Sequence, residues 1–296
     1  MKKILLAGIL MLVALTVSAQ FKVAPKMQKG DKKVYVTEAS TSSAQVTMNV
    51  ITETVYEVKD VTPEGYVIDC YISDCKVETD TTSLPNRIGA MAAGMTKGLH
   101  SLYAADKYGQ ILRILNYDEL LQSADDMLEK ALTTIQLPTI LPKEQIKMAA
   151  KLNISEDAML ASMKMSDNPF SLNGKTITNG MEDTFGTKEG LTMKRTYTLN
   201  DDGSIKTDAK MDMSTESITA AIAKMSGQVS PEMAQSEDFK QQVTQMINSG
   251  MLKLAATNNA TYTFTSDGWV KSITSGYSFQ AMGQQFETQT KVTLKQ

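Results

Sequence analysis

The 296 residues hold one histidine, and that count restricts the available chemistry. Serine-type nucleophilic catalysis would have to run through His100, and no Gly-x-Ser-x-Gly elbow accompanies it. Metal sites built from several histidines are excluded. Asp125 and Asp126 are adjacent, and on a helix they diverge by about 100°, so they make no facing acid and base pair without tertiary help. Asn200-Asp201-Asp202-Gly203 looks like a calcium loop but lacks the alternating ligand spacing and the closing glutamate; the flanking alternation accounts for it as a hairpin. There is no Gly-rich phosphate cradle. The chain reads as a non-enzyme, with no cofactor and no metal.

Cys70 and Cys75 are the two cysteines. Tyr66, Ile68, Cys70 and Ile72 alternate along one face of a strand, and the apolar phase then slips by one to Cys75 and Val77, as a bulge near Ser73 and Asp74 would cause. Both thiols then face the same side. Five extended residues span about 16 Å, whereas a disulfide needs Cα atoms within about 7 Å, so the spacing predicts two free, half-buried thiols. A zinc or redox site would need a CxxC spacing or further ligands.

The elements that position these residues are legible as three β-rich blocks alternating with two helical ones. The first β block runs from about residue 32 to 82, with Pro63-Glu64-Gly65 as a turn. The second places strands around 191–199 and 204–213 about Asp202-Gly203, and the third uses Asp267-Gly268 before Trp269, Ile273, Tyr277 and Phe279. Asp-Gly tolerates the positive φ of a tight hairpin, so the strands form an antiparallel meander. A short strand is expected at 110–115. A helix is expected from Asn116, with Glu119 completing a capping box and Pro138 ending the run. Further helices are expected from Pro142, from Ser155, across Ile218 to Met225, and across Phe239 to Leu254.

The stretch Ile88 to Tyr103 reads as one helix with His100 on its polar side. Ala90, Gly94 and Gly98 recur every four residues on it. Each glycine costs about 1 kcal/mol relative to alanine, so close packing on the sheet or a lid over a cavity should offset them. The chain has 20 methionines, and most of those in the helices lie on or beside apolar stripes. Methionine is flexible and polarisable, suited to irregular cores and to surfaces that accept variable apolar partners. Met91, Met95, Leu99, Met159, Met163, Met246 and Met251 are the candidate lining residues of an apolar site.

Lys2 and Lys3, the apolar run Ile4 to Val17 and the small residues Val17-Ser18-Ala19 have the three-part pattern of a secretory signal peptide. Cleavage near Ala19 would release an untethered chain into the periplasm or medium, since no cysteine is near for lipid attachment. It would also remove two lysines, leaving 28 basic against 33 acidic residues, a net charge of −5. That balance gives no electrostatic reason to bind nucleic acid. No second apolar run approaches the roughly 20 residues a membrane-spanning helix needs.

Asp106-Lys107-Tyr108-Gly109-Gln110-Ile111-Leu112, Asn116 to Leu120, and Ser266-Asp267-Gly268-Trp269-Val270-Lys271-Ser272-Ile273 resemble segments of exported proteins of unknown function from Bacteroides-like bacteria. Long antiparallel strands wrapped about helices are more remotely similar to the LolA and LppX periplasmic lipoprotein carriers, whose half-barrel and helical lid hold acyl chains. That resemblance implies a lipid or lipoprotein-like ligand.

The expected fold is therefore α+β: a large, curved, half-barrel-like antiparallel sheet packed on several amphipathic helices. After the signal peptide, residues 20–296 form a single domain that admits two related halves, about 20–170 and 171–296. The expected function is non-catalytic binding of a hydrophobic or amphiphilic ligand, a lipid or acyl chain, in the cell envelope. The alternative is a structural or protein-interaction module of the envelope with no ligand cavity.

Overall fold

The computed structural model describes residues 20–43, 47–80, 82–134, 155–186, 192–229, 236–252, 254–281 and 284–295. The signal segment and the helix expected from Pro142 lie outside them. A short pair, β1 (Gln20–Lys22) with β7 (Thr176–Thr178), accompanies one 11-stranded antiparallel sheet. Half of that sheet is the meander β2 (Lys32–Ser43), β3 (Thr47–Thr62), β4 (Gly65–Thr79), β5 (His100–Asp106) and β6 (Ile111–Ile114). The other half is β8 (Glu182–Gly186), β9 (Thr192–Leu199), β10 (Ile205–Met211), β11 (Leu254–Phe264), β12 (Val270–Ala281) and β13 (Gln284–Leu294). β2 and β13, the first and last long strands, join the halves, with Thr37 opposite Val292 and Thr41 opposite Thr288. β6 and β8 are the edges.

Both Asp-Gly hairpins form, in a wider version than a two-residue turn. Asn200 N bonds Ser204 O at 2.9 Å and Thr265 N bonds Trp269 O at 2.8 Å, so three residues fill each loop. Gly203 and Gly268 take the positive φ, at 79° and 85°, that ends such a loop. The bulge in β4 sits where the apolar phase slips: Ile72 pairs with Thr54 and Asp74 with Glu53, leaving Ser73 unpaired. Cys70 and Cys75 therefore share a face, and both are free thiols, half-buried. Ser73 turns its hydroxyl to Glu53 O at 3.2 Å.

Five helices lie among the described residues: α1 (Leu84–Met95), α2 (Tyr117–Thr134), α3 (Glu156–Met165), α4 (Thr215–Val229) and α5 (Glu237–Asn248). Ser83 and Ser236 cap α1 and α5 by accepting from Asn86 N and Phe239 N, the usual way to satisfy an orphan N–H. The helix expected across Ile88 to Tyr103 stops at Met95. Gly98 adopts φ 78° and its N–H bonds Ile72 O at 2.9 Å, turning the chain so that His100 begins β5. A methyl built on Gly94 or Gly98 would meet nothing within 4 Å, so no close approach explains these glycines. Asn116 also departs from its expected capping role. Its Oδ1 accepts from Leu102 N at 2.8 Å and its Nδ2 donates to His100 O at 2.9 Å, tying β5 to the start of α2. α5 ends at Asn248, short of the expected Leu254.

The sheet must curl strongly. Laid flat at about 4.8 Å per strand, the edges of 11 strands stand about 48 Å apart. Yet β6 and β8 both touch α3, and Ile111 of β6 lines the same cavity as Asp183 to Phe185 of β8. Glu156 at the head of α3 accepts from Ile114 N at 2.8 Å, capping the bare edge of β6. The result is an open half-barrel whose seam is filled by α3.

The concave face has register-aligned rows. In the deepest, Leu199, Ile205, Tyr262, Ile273 and Val292 stand side by side. Two residues up each strand, about 6.7 Å, come Tyr197, Thr207, Ala260, Ser275, Thr290 and Ala39. Leu199, Thr290 and Ala39 are half-buried, and burial is deepest at Tyr197, Ile205, Tyr262 and Ile273, all 0% exposed. Val23, Met27, Phe170, Leu172 and Trp269 fill the interior against them. Phe170 lies 4.9 Å from Tyr56 and edge-on to Trp269 at 6.1 Å. Each such side chain contributes about 1.5–3 kcal/mol through burial. The N-terminal segment is bound into this plug through Val23 N to Lys175 O and Gly174 N to Val23 O, at 2.9 and 2.8 Å, which also fixes Lys175.

Candidate functional site: a charged collar below an apolar row

Above the packed rows the character of the concave wall changes. The third row reads Asp183, Arg195, Ala209, Asn258, Tyr277, Thr288 and Thr41. The fourth returns to apolar residues, with Phe185, Met193 and Met211 on one side and Ala256, Phe279 and Phe286 on the other. A polar collar thus separates a filled core from an apolar rim. Met193, Ala209 and Ala256 are buried, with Phe185, Met211 and Phe279 packed half-buried around them. Phe286 is also half-buried, 6.5 Å from Phe279 between ring centroids. Tyr277 in the collar remains 37% exposed.

The collar is ionic at the seam. Arg195 reaches Asp183 with two parallel bonds, Nε to Oδ1 at 3.0 Å and Nη2 to Oδ2 at 2.9 Å, the bidentate geometry that favours arginine over lysine. Tyr197 OH donates to Asp183 Oδ2 at 2.8 Å. Lys175 Nζ bonds Asp183 as well and donates to Tyr197 OH at 2.9 Å. The Arg195 guanidinium also stacks over the Phe185 ring, 4.6 Å from its centroid. Partial burial alone would raise the Asp183 carboxyl, but the bonds from Arg195, Lys175 and Tyr197 outweigh it and hold it at about 2. Desolvation lowers the Lys175 ammonium and raises the Tyr197 phenol. Beside this cluster, Asp167 accepts from Tyr262 OH at 2.6 Å and from Asn258 Nδ2 at 3.0 Å. Asn258 Oδ1 is buried with no hydrogen-bond partner among the described residues.

These groups border a cavity of roughly 200 Å³ at the seam, walled by Ile111, Leu160, Met163, Phe170 and Phe185 on its apolar side and by Lys175, Asp183 and Arg195 on its polar side. A shallower groove of roughly 420 Å³ lies on the opposite face of β8–β11, lined by charges such as Glu182, Lys194, Asp208 and Lys210. Lys194 is paired to Glu182 at 2.8 Å and Lys206 to Asp208 at 3.0 Å, as on a solvated sheet face.

The candidate lining residues fall in three places. Leu99, Met159 and Met163 pack half-buried against the main core, and Met163 alone of the seven lines the seam cavity. Met91 is half-buried on α1, which lies against β3 and β4; Met95 is in the same helix, its side chain outside the described residues. Met246 and Met251 are exposed, by 37% and 69%, at the end of the chain segment leading into β11. They do not form one wall. The collar was missed in the sequence, although one signal was present: Arg195 shares parity with Met193, Tyr197 and Leu199, a charge on the apolar side of its strand.

His100, expected on a helix, starts a strand, with Nδ1 3.0 Å from both Asp69 oxygens and its ring stacked on Tyr71 at 4.2 Å. Among the described residues no three acidic, cysteine or histidine side chains are arranged to hold a metal. No described helix is long and apolar enough to cross a membrane.

No protein-family model matches the chain, and no curated protein matches it. Among solved structures, lipovitellin, from a study of its lipid–protein interactions, is similar at 11% identity with a TM-score of 0.40 over 92% of this chain and 26% of that one. The chain spans about a quarter of that protein's length. An outer membrane channel from Pseudomonas putida F1 is similar at 9% identity and a TM-score of 0.20, over 92% of this chain and 98% of that one.

Proposed function

We propose that the protein is an exported, non-catalytic binder of a hydrophobic or amphiphilic ligand in the cell envelope, seated on the apolar rim of the concave sheet. One observation carries this reading: the concave wall is filled at one end and, past a polar collar, presents a second apolar row in which Met193 and Ala256 are buried and the other four residues only half-buried. Phe185, Met211, Phe279 and Phe286 keep surface in contact with water. An apolar surface left in water costs about 25 cal/mol per Å², and contiguous surface of this kind marks a binding face. Phenylalanine and methionine suit acyl chains of varied length, being large and, in methionine's case, deformable.

The reading is non-catalytic because the acids of the collar are already engaged. Asp183 accepts four hydrogen bonds and Asp167 two, and the one imidazole of the chain sits apart from the collar, on β5. The test is native mass spectrometry of protein purified from its own envelope, followed by organic extraction. The expected result is a bound lipid-sized mass that extraction removes and that Phe279→Ala retains poorly. A bare polypeptide mass that takes up no added amphiphile refutes the reading.

A further inference from the structure

We propose that the collar reads an anionic head group: a carboxylate or phosphate oxygen of the ligand seats against Lys175 and Arg195 at the seam, and its apolar chain runs upward onto Phe185, Met193 and Phe279. The inference rests on the binding function above and names the chemistry of that ligand's polar end.

Among the described residues the charges bordering the seam cavity are two cations, Lys175 and Arg195, against one carboxylate, Asp183. That carboxylate is fully used, accepting two bonds from Arg195 and one each from Lys175 and Tyr197. The neighbouring Asp167 does not line the cavity and is occupied by Tyr262 and Asn258. A guanidinium has five N–H donors and an ammonium three. The bonds to Asp183 and Tyr197 account for two of each, leaving donors for an incoming acceptor. The surplus positive charge sits where side-chain exposure is 7% for Arg195 and 28% for Lys175, so it is shielded from bulk water and its attraction for an anion is little screened.

Geometry supplies the direction of the chain. Phe185 and Met193 lie two residues from Asp183 and Arg195 on the same face of β8 and β9, about 6.7 Å away, and Met163, Leu160 and Ile111 close the sides. A head at the cations and a tail on the rim therefore need no displacement of the packed core beneath. Lys175 is held in place from behind by Val23 and Leu172, through backbone bonds of 2.9 and 3.1 Å, so its position is set by the plug and not by the ligand.

The experiment displaces a neutral fluorescent probe, N-phenyl-1-naphthylamine, from the full mature chain with four ten-carbon amphiphiles: decanoate, decyl phosphate, decanol and decylammonium. The expected result is at least tenfold tighter binding of one or both anions than of decanol, with decylammonium weakest, and a weaker preference at high salt. The preferred anion distinguishes a fatty-acid source from a phospholipid-like one. In Lys175→Gln the ratio of anion to decanol affinity should fall toward one, while Lys175→Arg should restore it. Equal binding of all four heads, or a preference that survives Lys175→Gln, overturns the anionic head group but leaves the binding function standing. Failure of every amphiphile to displace the probe overturns both.

Discussion

Asp183→Asn separates the electrostatic contribution of the collar from its packing. The native carboxyl is held at about 2 against an ordinary value of 3.8, and each pH unit of displacement corresponds to about 1.4 kcal/mol. The pairing is therefore worth about 2 kcal/mol of folding stability. Because the folded value is the lower one, this contribution is complete above about pH 5 and disappears as the pH falls through 3.8 toward 2. Asparagine keeps the size and some hydrogen bonds but leaves Arg195, which is nearly buried, with no opposing charge; loss of one partner of a buried pair costs about 3–5 kcal/mol. Urea unfolding at fixed temperature from pH 7 to pH 2 should show the variant less stable at neutral pH by at least about 2 kcal/mol. The gap should narrow by about that amount between pH 5 and pH 2. A gap that stays constant across this range would show that Asp183 is not held ionised by its neighbours.

Three further outcomes test the frame around the site. Burial pushes the Cys70 thiol up to about 12 from 9.0, which at pH 8 reduces its thiolate about a thousandfold, so iodoacetamide should leave Cys70 unmodified in the folded protein and alkylate it in urea. Tyr262→Phe leaves Asp167 without its 2.6 Å donor and should cost about 1–3 kcal/mol, measured by urea unfolding, where an unchanged midpoint would count against it. A methyl at Gly65 would stand inside van der Waals contact of the Ala105 carbonyl in the next strand, whereas Gly30 faces open space. Gly65→Ala should thus abolish soluble expression, while Gly30→Ala, strained only by its positive φ of 90°, should lose about 1–2 kcal/mol.

Local signals carried much of the architecture. Alternation in β9 and β12, the two Asp-Gly loops, and the phase slip at Ser73 each depend on neighbours within a few residues, so the hairpins and the bulge were readable in the chain. The boundary at Gly98 was misread because Leu99 and Leu102 continue the helical spacing of Met91 and Met95. The same leucines also fit a strand entry, and only the positive φ of a glycine, invisible in composition, decides between them. The union of β2 with β13 and the meeting of β6 with β8 across α3 are nonlocal, and nothing in either segment names its partner. The lining residues suffered from the same gap: an apolar helical stripe shows that a face is covered, not by what. Arg195 was open to recognition, since a charge at apolar parity in a strand must find a buried partner or a ligand.

That partner raises the question of why three charges occupy the collar at all. Removing two or three ions from water costs several kcal/mol, which their mutual attraction repays only in part, and apolar replacements of similar volume often leave such sites as stable or 1–4 kcal/mol more so. The row above is apolar, and at the seam the collar's nearest neighbours in the row below are Tyr197 and, farther along, Ala260, so methionine and leucine there would continue their packing up to Phe185 and Met193. The triple variant Lys175→Met, Asp183→Leu, Arg195→Met should therefore fold with a urea midpoint at or above that of the parent while losing all preference for an anionic amphiphile. If instead it unfolds or aggregates, the cluster serves the closure of the seam, and its charges need no ligand to account for them. Stability unchanged and selectivity lost would mean that the ions are kept for what they bind.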